Sequence, residues 1–252
     1  MSFEVAAEAY DRFMGRYSEP LADKFVDLIG ISPDERALDV GCGPGAMTGR
    51  LVDRLGVSSV SAIDPSEPFL EAVAQRFPGL DARLGSADAI PFDTASFDLA
   101  VAQLVVHFMP DPVAGIGEMV RVTRPGGRLA ACVWDHGGKQ GPLAVFWSAA
   151  RELDPAALDE SERPGTHAGQ LERYFREVGL SDIEASLVTV RVEFADFDDW
   201  WTPFTLGVGP AGAHVADLNA AGREALRSAC ARLLPDGPFS IDASAWTVIA
   251  RT

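Results

Sequence analysis

The chain has 252 residues, 47% of them hydrophobic, with 21 Lys and Arg against 37 Asp and Glu and a formal net charge of −16 at pH 7. At about 150 residues per domain this is one domain, or one with an appended lid, and it has apolar residues enough for a sizeable core; a disordered chain, a small disulfide scaffold and a fibrous repeat are excluded. The acidic balance repels a phosphate backbone, and the densest basic stretch, residues 121–128, holds only three arginines, so no nucleic-acid substrate is expected.

The first twenty residues carry charges every few positions and lack the apolar centre of a secretory signal. The longest apolar run, residues 99–109, contains Gln103 and His107 and is too short to cross a bilayer. Cys42, Cys132 and Cys230 form no C-x-x-C pair and no zinc-spaced group. A cytoplasmic protein without a metal is the expectation.

In chain order, residues 3–14 and 19–28 read as two helices, the second capped by Ser18. Residues 37–40 are a short apolar run ending in glycines, and residues 47–55 carry apolar positions at helical spacing: strand, turn, helix. The alternation repeats with strands over 57–63, 81–84, 97–102 and 128–134 and helices over 68–77 and 112–122. Arg124-Pro125-Gly126-Gly127 separates the last of these helices from the fifth strand as a turn. Beyond Trp134 come a glycine-rich loop, helices over 143–153 and 168–178, a long alternating strand over 183–194, a mostly helical stretch to Gly237 and a last strand over 245–250.

This pattern predicts an α/β, Rossmann-like, doubly wound and mostly parallel sheet of seven strands. It divides into an N-terminal helical flap (1–34), a cofactor-binding core (35–135) and a helical insertion with the last two strands (136–252), all one structural domain.

The strongest local feature is Leu38-Asp39-Val40-Gly41-Cys42-Gly43-Pro44-Gly45-Ala46. Its glycines allow a tight strand-to-helix turn and close approach of a ligand to a helix N-terminus, which suits a nucleotide-like cofactor. Gly41-x-Gly43-x-x-Ala46 with Asp64 downstream satisfies a loosened dinucleotide fingerprint and, taken alone, permits NAD. Asp39, Asp64 and Asp88 at the ends of the first three strands are instead a poor cradle for pyrophosphate and a good one for a ligand carrying an ammonium, a sulfonium, a ribose and an adenine.

Together with Ile63-Asp64-Pro65-Ser66, Ala87-Asp88-Ala89-Ile90-Pro91-Phe92, Ser96-Phe97-Asp98 and Arg124-Pro125-Gly126-Gly127, the glycine segment resembles the successive motifs of class I S-adenosylmethionine-dependent methyltransferases. The branch it is most similar to acts on small molecules in quinone and natural-product biosynthesis. The resemblance covers residues 10–135 well and the last third only in outline.

It implies S-adenosylmethionine as cofactor, a small-molecule methyl acceptor, and roles residue by residue. Asp39 and the Gly41, Cys42, Gly43 backbone would hold the methionine end, with Gln103 bordering it. Asp64, followed by Pro65, would accept the ribose hydroxyls. Asp88 would face the adenine amine, framed by Ala87 and Ala89. Tyr10 and Arg16 resemble residues that close over the cofactor, Arg16 pairing with its carboxylate. After the fourth strand Gln103-Leu104-Val105-Val106 replaces the Asn/Asp-Pro-Pro-Tyr of base and amide methylases, and no Pro-Cys nucleophile follows.

His107 reads two ways, as a general base at the acceptor or as a core histidine beside Phe108. Trp134-Asp135-His136 carries the same ambiguity. Trp200, Trp201 and Phe204 read as an acceptor pocket or as lid core, and Asp198-Asp199 as a solvated face. Cys42 reads as a small filler. The competing functions are a nicotinamide oxidoreductase, which leaves Asp39 and Asp88 unexplained, and a non-catalytic module that binds a cofactor or a partner.

Overall fold

The structure is a computed structural model that describes residues 7–252. Its strands are β1 (Ala37–Val40), β2 (Val60–Asp64), β3 (Asp81–Leu84), β4 (Phe97–Gln103), β5 (Thr123–Trp134), β6 (Ser181–Phe194) and β7 (Phe239–Arg251). They form one seven-stranded sheet in the order β3-β2-β1-β4-β5-β7-β6. The first five pair in parallel, and β7 runs antiparallel between β5 and β6. The chain therefore has the Rossmann-like α/β fold that its alternation predicts.

The helices are α1 (Ala7–Tyr10), α2 (Arg16–Ile29), α3 (Ala46–Leu55), α4 (Glu67–Arg76), α5 (Pro112–Val122), α6 (Ala144–Leu153), α7 (Gln170–Glu177), α8 (Phe197–Trp201), α9 (Gly209–Asp217) and α10 (Ala220–Leu233). β1, β2 and β4 are buried along their whole length, as strands covered on both faces must be. Alternation along β5 divides the core in two. Ala130, Cys132 and Trp134 pack with Phe25 of α2, Leu51 of α3, Phe146 of α6 and Leu226 of α10. Leu129, Ala131 and Val133 pack with Ile116 and Met119 of α5 and Leu171 and Phe175 of α7.

Local chemistry sets several boundaries. α5 opens on Asp111, whose side chain accepts from the Val113 and Ala114 N–H groups at 3.0 Å, with Pro112 at the first helical position. The second strand begins at Val60 rather than 57, because residues 57–59 close a 3₁₀ turn after α3. Arg124–Gly127 does not interrupt the fifth strand. β5 starts at Thr123, and the extra residues bulge out between the Phe97–Thr123 and Leu99–Arg128 pairs, with Gly126 at φ +80°.

The N-terminal helices also differ from expectation. Over the described residues one continuous helical run extends from Ala7 to Ile29, with a π-helical turn at Asp11–Gly15 joining α1 to α2. Ser18 lies inside α2, buried, and caps nothing. Residues 3–6 of the expected first helix lie outside the described residues.

Candidate active site

β1 and β4 are neighbours from which the chain winds off in opposite directions, the switch point where open α/β sheets bind ligands beyond their carboxyl ends. At the end of β1 the Gly41 and Cys42 N–H groups both donate to the Ile63 carbonyl, at 2.8 and 2.9 Å, so the turn is stitched to β2. Gly41 has φ +71°, and a Cβ there would stand 2.6 Å from Val105 Cγ2. Gly43, at φ +53°, would meet nothing within 4 Å; its open side is where a ligand can approach the backbone.

Asp39 is buried beneath this loop. Thr48 Oγ1 donates to its Oδ2 at 2.6 Å, and Oδ1 has no partner among the described residues. Burial pushes its carboxyl up to about 7; the Thr48 hydrogen bond opposes the shift and the neighbouring Asp64 charge adds to it. Gln103, at the end of β4, donates through Nε2 to the Ser18 carbonyl at 3.0 Å, while its buried Oε1 also lacks a partner. Two buried acceptors without donors thus sit on adjacent strands, and burying such groups unpaired costs about 1–3 kcal/mol each.

Asp64 is buried as well. Its two oxygens accept from Gly43 N–H and Ser66 N–H, each at 2.8 Å, so it ties the glycine loop to the start of α4. A carboxylate accepts up to about four hydrogen bonds, which leaves it capacity for ligand hydroxyls. Pro65 beside it is exposed. Tyr10 packs edge-on against Phe69, ring centroids 5.4 Å apart, and its phenol is pushed up by burial first and then by Asp64 and Asp11. The Cys42 thiol is pushed well up by burial and by Asp39 and Asp64, which makes it inert as a nucleophile. Ala87, Asp88 and Ala89 follow β3 on the rim; Asp88 is exposed and accepts from Ser86 Oγ.

Arg16 is placed elsewhere than the resemblance implies. Its Nη1 and Nη2 donate to the two oxygens of Asp199 at 2.8 and 3.1 Å, Nη2 also reaches the Glu193 carbonyl at 2.7 Å, and the guanidinium lies 4.2 Å from the Phe194 ring. A bidentate carboxylate and an aromatic face hold the planar fork, so Arg16 ties α2 to β6 and α8 instead of facing the glycine loop. Asp199, read as a solvated face, is its partner.

Beyond β4 the backbone passes through Leu104 at φ +61°, an uncommon conformation for a branched side chain, and then a 3₁₀ turn, Val106–Phe108. That turn carries His107 inward, to line a cavity with Tyr10, Phe13, Leu104, His136 and Glu160. His107 is 4% exposed, and burial, then His136 and Arg163, hold its imidazole well below the usual range. His136 is held down to about 4 by burial, and burial pushes Glu160 up to about 7. Trp200, Trp201 and Phe204 do not line this cavity. They are buried in the helical insertion, where Phe204 stacks on Phe146 at 4.6 Å.

Residues 38–131 match the family described as the methyltransferase domain. The demethylmenaquinone methyltransferase of Renibacterium salmoninarum is 30% identical over 172 residues, which cover 63% of this chain and 71% of that protein. The chain belongs to the class I S-adenosylmethionine-dependent methyltransferases. An uncharacterized methyltransferase of Mycobacterium tuberculosis is 39% identical over 135 residues, 54% of this chain and 52% of that one. The chain spans about half the length of the curated relatives of that kind. The fold recurs in the YcgJ protein of Bacillus subtilis, with a TM-score of 0.60 at 16% identity over 94% of this chain and 98% of that one. It recurs too in the geranyl diphosphate C-methyltransferase of Streptomyces coelicolor, with a TM-score of 0.55 at 16% identity over 94% and 80%.

In this methyltransferase chain the sequence motifs mark the glycine-loop end of the candidate site, and no motif marks the end formed by His107, His136 and Glu160. Glu160 stands in the run Asp159-Glu160-Ser161-Glu162, which reads as a solvated acidic stretch. Its 3% exposure follows from the Trp147 indole covering it and donating to Oε2 at 3.3 Å, a contact between residues that only the fold brings together.

Proposed function

We propose that the protein transfers a methyl group from S-adenosylmethionine to an O, N or C atom of a small, partly apolar molecule. The observation that carries this reading is the pair of partnerless buried acceptors, Asp39 Oδ1 and Gln103 Oε1, at the carboxyl ends of β1 and β4. A ligand bearing an ammonium and a sulfonium supplies donors and positive charge to both. A pyrophosphate would set like charge against Asp39 and Asp64, which weighs against a nicotinamide cofactor.

Asp39, Gln103 and the Gly41, Cys42, Gly43 backbone would hold the methionine end. Asp64, steadied by Pro65, would use its remaining lone pairs on the ribose, Asp88 with Ala87 and Ala89 would border the adenine, and Tyr10 would close over it. S-adenosylmethionine supplies an already activated methyl group when bound. The chain's own work is to align the acceptor and exclude water, effects that reach about 7–11 kcal/mol where alignment is close. Phe13, Met14, Leu104 and Val208 make the acceptor cavity mostly apolar. His107, its imidazole neutral at pH 7, is the group in place to receive a proton from an acceptor hydroxyl or amine. The buried free thiols of Cys42, Cys132 and Cys230 accord with a reducing cytoplasm.

Calorimetric titration with S-adenosylmethionine, S-adenosylhomocysteine and NAD in parallel tests the proposal. Binding of the two sulfur compounds and not NAD is the expected result; NAD binding alone overturns it. Asp64→Ala is expected to weaken S-adenosylhomocysteine by about 2–3 kcal/mol, the worth of hydrogen bonds to a charged acceptor. Near-native affinity in that variant would place the ribose elsewhere.

A further inference from the structure

His107, His136 and Glu160 come from the turn after β4, the loop after β5 and the loop after α6, and each offers a ligand atom within 4.8 Å of the other two. They are 4%, 8% and 3% exposed. Among the described residues no hydrogen bond joins any two of them, and His107 Nδ1 has no partner at all. Three electron-pair donors converging out of water, one of them unsatisfied, are costly unless something positive stands between them.

We propose that His107, His136 and Glu160 form a binding site for a divalent transition-metal ion of the zinc or ferrous class, with its open coordination positions facing the acceptor cavity. Two imidazoles and one carboxylate on one side of an ion, leaving positions free, is the donor set such ions take in sites that also bind a substrate. Zinc held at about 2.0–2.2 Å brings tetrahedral ligand atoms to about 3.4 Å of one another.

The surroundings support the assignment. The Trp147 indole N–H on Glu160 Oε2 orients the carboxylate from behind, as the outer partners of metal ligands do. The charges facing the cluster are Asp135 and Asp159 on one sign and Arg163 on the other, with Arg151 already taken by Asp159 at 3.0 Å. The cluster also borders a surface cleft lined by Lys139, Ser148, Arg151 and Asp159, which gives an ion a way in without passing the cofactor loop. An ion there would bind an acceptor through oxygen, and an acceptor with two adjacent oxygens would fill two positions. This role for the ion, though not the site itself, rests on the methyltransferase reading above, and it replaces His107 as proton acceptor, because the ion would occupy the one lone pair that neutral imidazole has.

The test is titration of the purified full chain with Co(II), read by its visible ligand-field bands. One ion per chain is expected, with affinity lowered at least a hundredfold in His136→Ala and in the near-isosteric Glu160→Gln. X-ray absorption of the zinc-loaded wild-type chain needs no variant and should show two imidazoles around the ion. The proposal is overturned by absence of stoichiometric binding, by binding that both variants retain in folded form, or by a shell of oxygens alone, which would place the ion on the acidic surface. Titration with S-adenosylhomocysteine in the same samples separates the two readings: a chain that binds Co(II) through both histidines but no S-adenosylhomocysteine keeps the metal site and loses the methyltransferase function.

Discussion

Asp39 concentrates the energetic conflict of the site. In the unfolded chain its carboxyl ionises near 3.8, whereas the folded chain holds the proton to about pH 7. A pKa raised by folding stabilises the folded state fully below the lower value, and that stability is lost as pH rises through the higher one. Asp39→Asn removes the titration while keeping an acceptor for Thr48. Unfolding free energies from urea titration should therefore fall for the wild type relative to Asp39→Asn between pH 4 and pH 8, by up to about 4 kcal/mol; parallel curves would show that Asp39 does not titrate in that range. The loop glycines differ in what a side chain would meet. Gly41→Ala meets both a positive φ and Val105, and should cost about 1–3 kcal/mol of stability in denaturant. Gly43→Ala meets only the backbone strain, so its larger effect should fall on S-adenosylhomocysteine affinity, measured by calorimetry. An equal loss of stability in both variants would contradict this division.

At the scale of elements, the aromatic residues of the helical insertion between β6 and β7 join the core on one face of the sheet and tie the insertion to α6 and the N-terminal helices. Phe204 stacks on Phe146, meets Phe13 edge-on at 4.9 Å and lies 4.7 Å from Trp200. Phe204→Ala is expected to cost about 3–5 kcal/mol of stability, read from urea unfolding, with cofactor affinity unchanged if the protein is assayed folded. A loss below about 1 kcal/mol would show that the insertion packs loosely on the sheet. Arg16 makes the second tie, from α2 to Asp199 at the start of the insertion. It is a partly exposed pair, and its use is to fix where the insertion sits rather than to add much stability.

At the scale of the molecule, the cradle around the glycine loop and the apolar cavity beyond β4 share one wall, since Tyr10 and Leu104 line the cavity and lie beside Asp64 and Gln103. A ligand that binds the folded cradle and not the unfolded chain stabilises the fold. S-adenosylhomocysteine at about 100 times its Kd contributes about 2.7 kcal/mol. For a chain of 252 residues that should raise Tm by about 5–11 °C; no rise at saturation would show that the folded state does not bind it.

What could be read without the fold is what repeats locally. Apolar runs of strand length alternating with helical periodicity, punctuated by Gly41, Gly43 and Gly45, specify the parallel sheet and its ligand-binding turn, because period and turn chemistry act between near neighbours in sequence. The bulge of Arg124–Gly127 was hidden, because whether a Pro-Gly-Gly stretch ends a strand or swells within it depends on the neighbouring strand, here β4. The continuous N-terminal helix was hidden for a similar reason: its buried face is decided by α3 and β6, not by Ser18. Arg16 found Asp199 across 183 positions, and His107, His136 and Glu160 met from three separate loops. Sequence by itself determined the layered α/β architecture, the glycine loop and the three carboxylates at the strand ends. Tertiary structure alone decided which charges pair, which acceptors are left without donors and which side chains converge, because burial and long-range contact are properties of the packed chain and leave no periodic trace in the order of its residues.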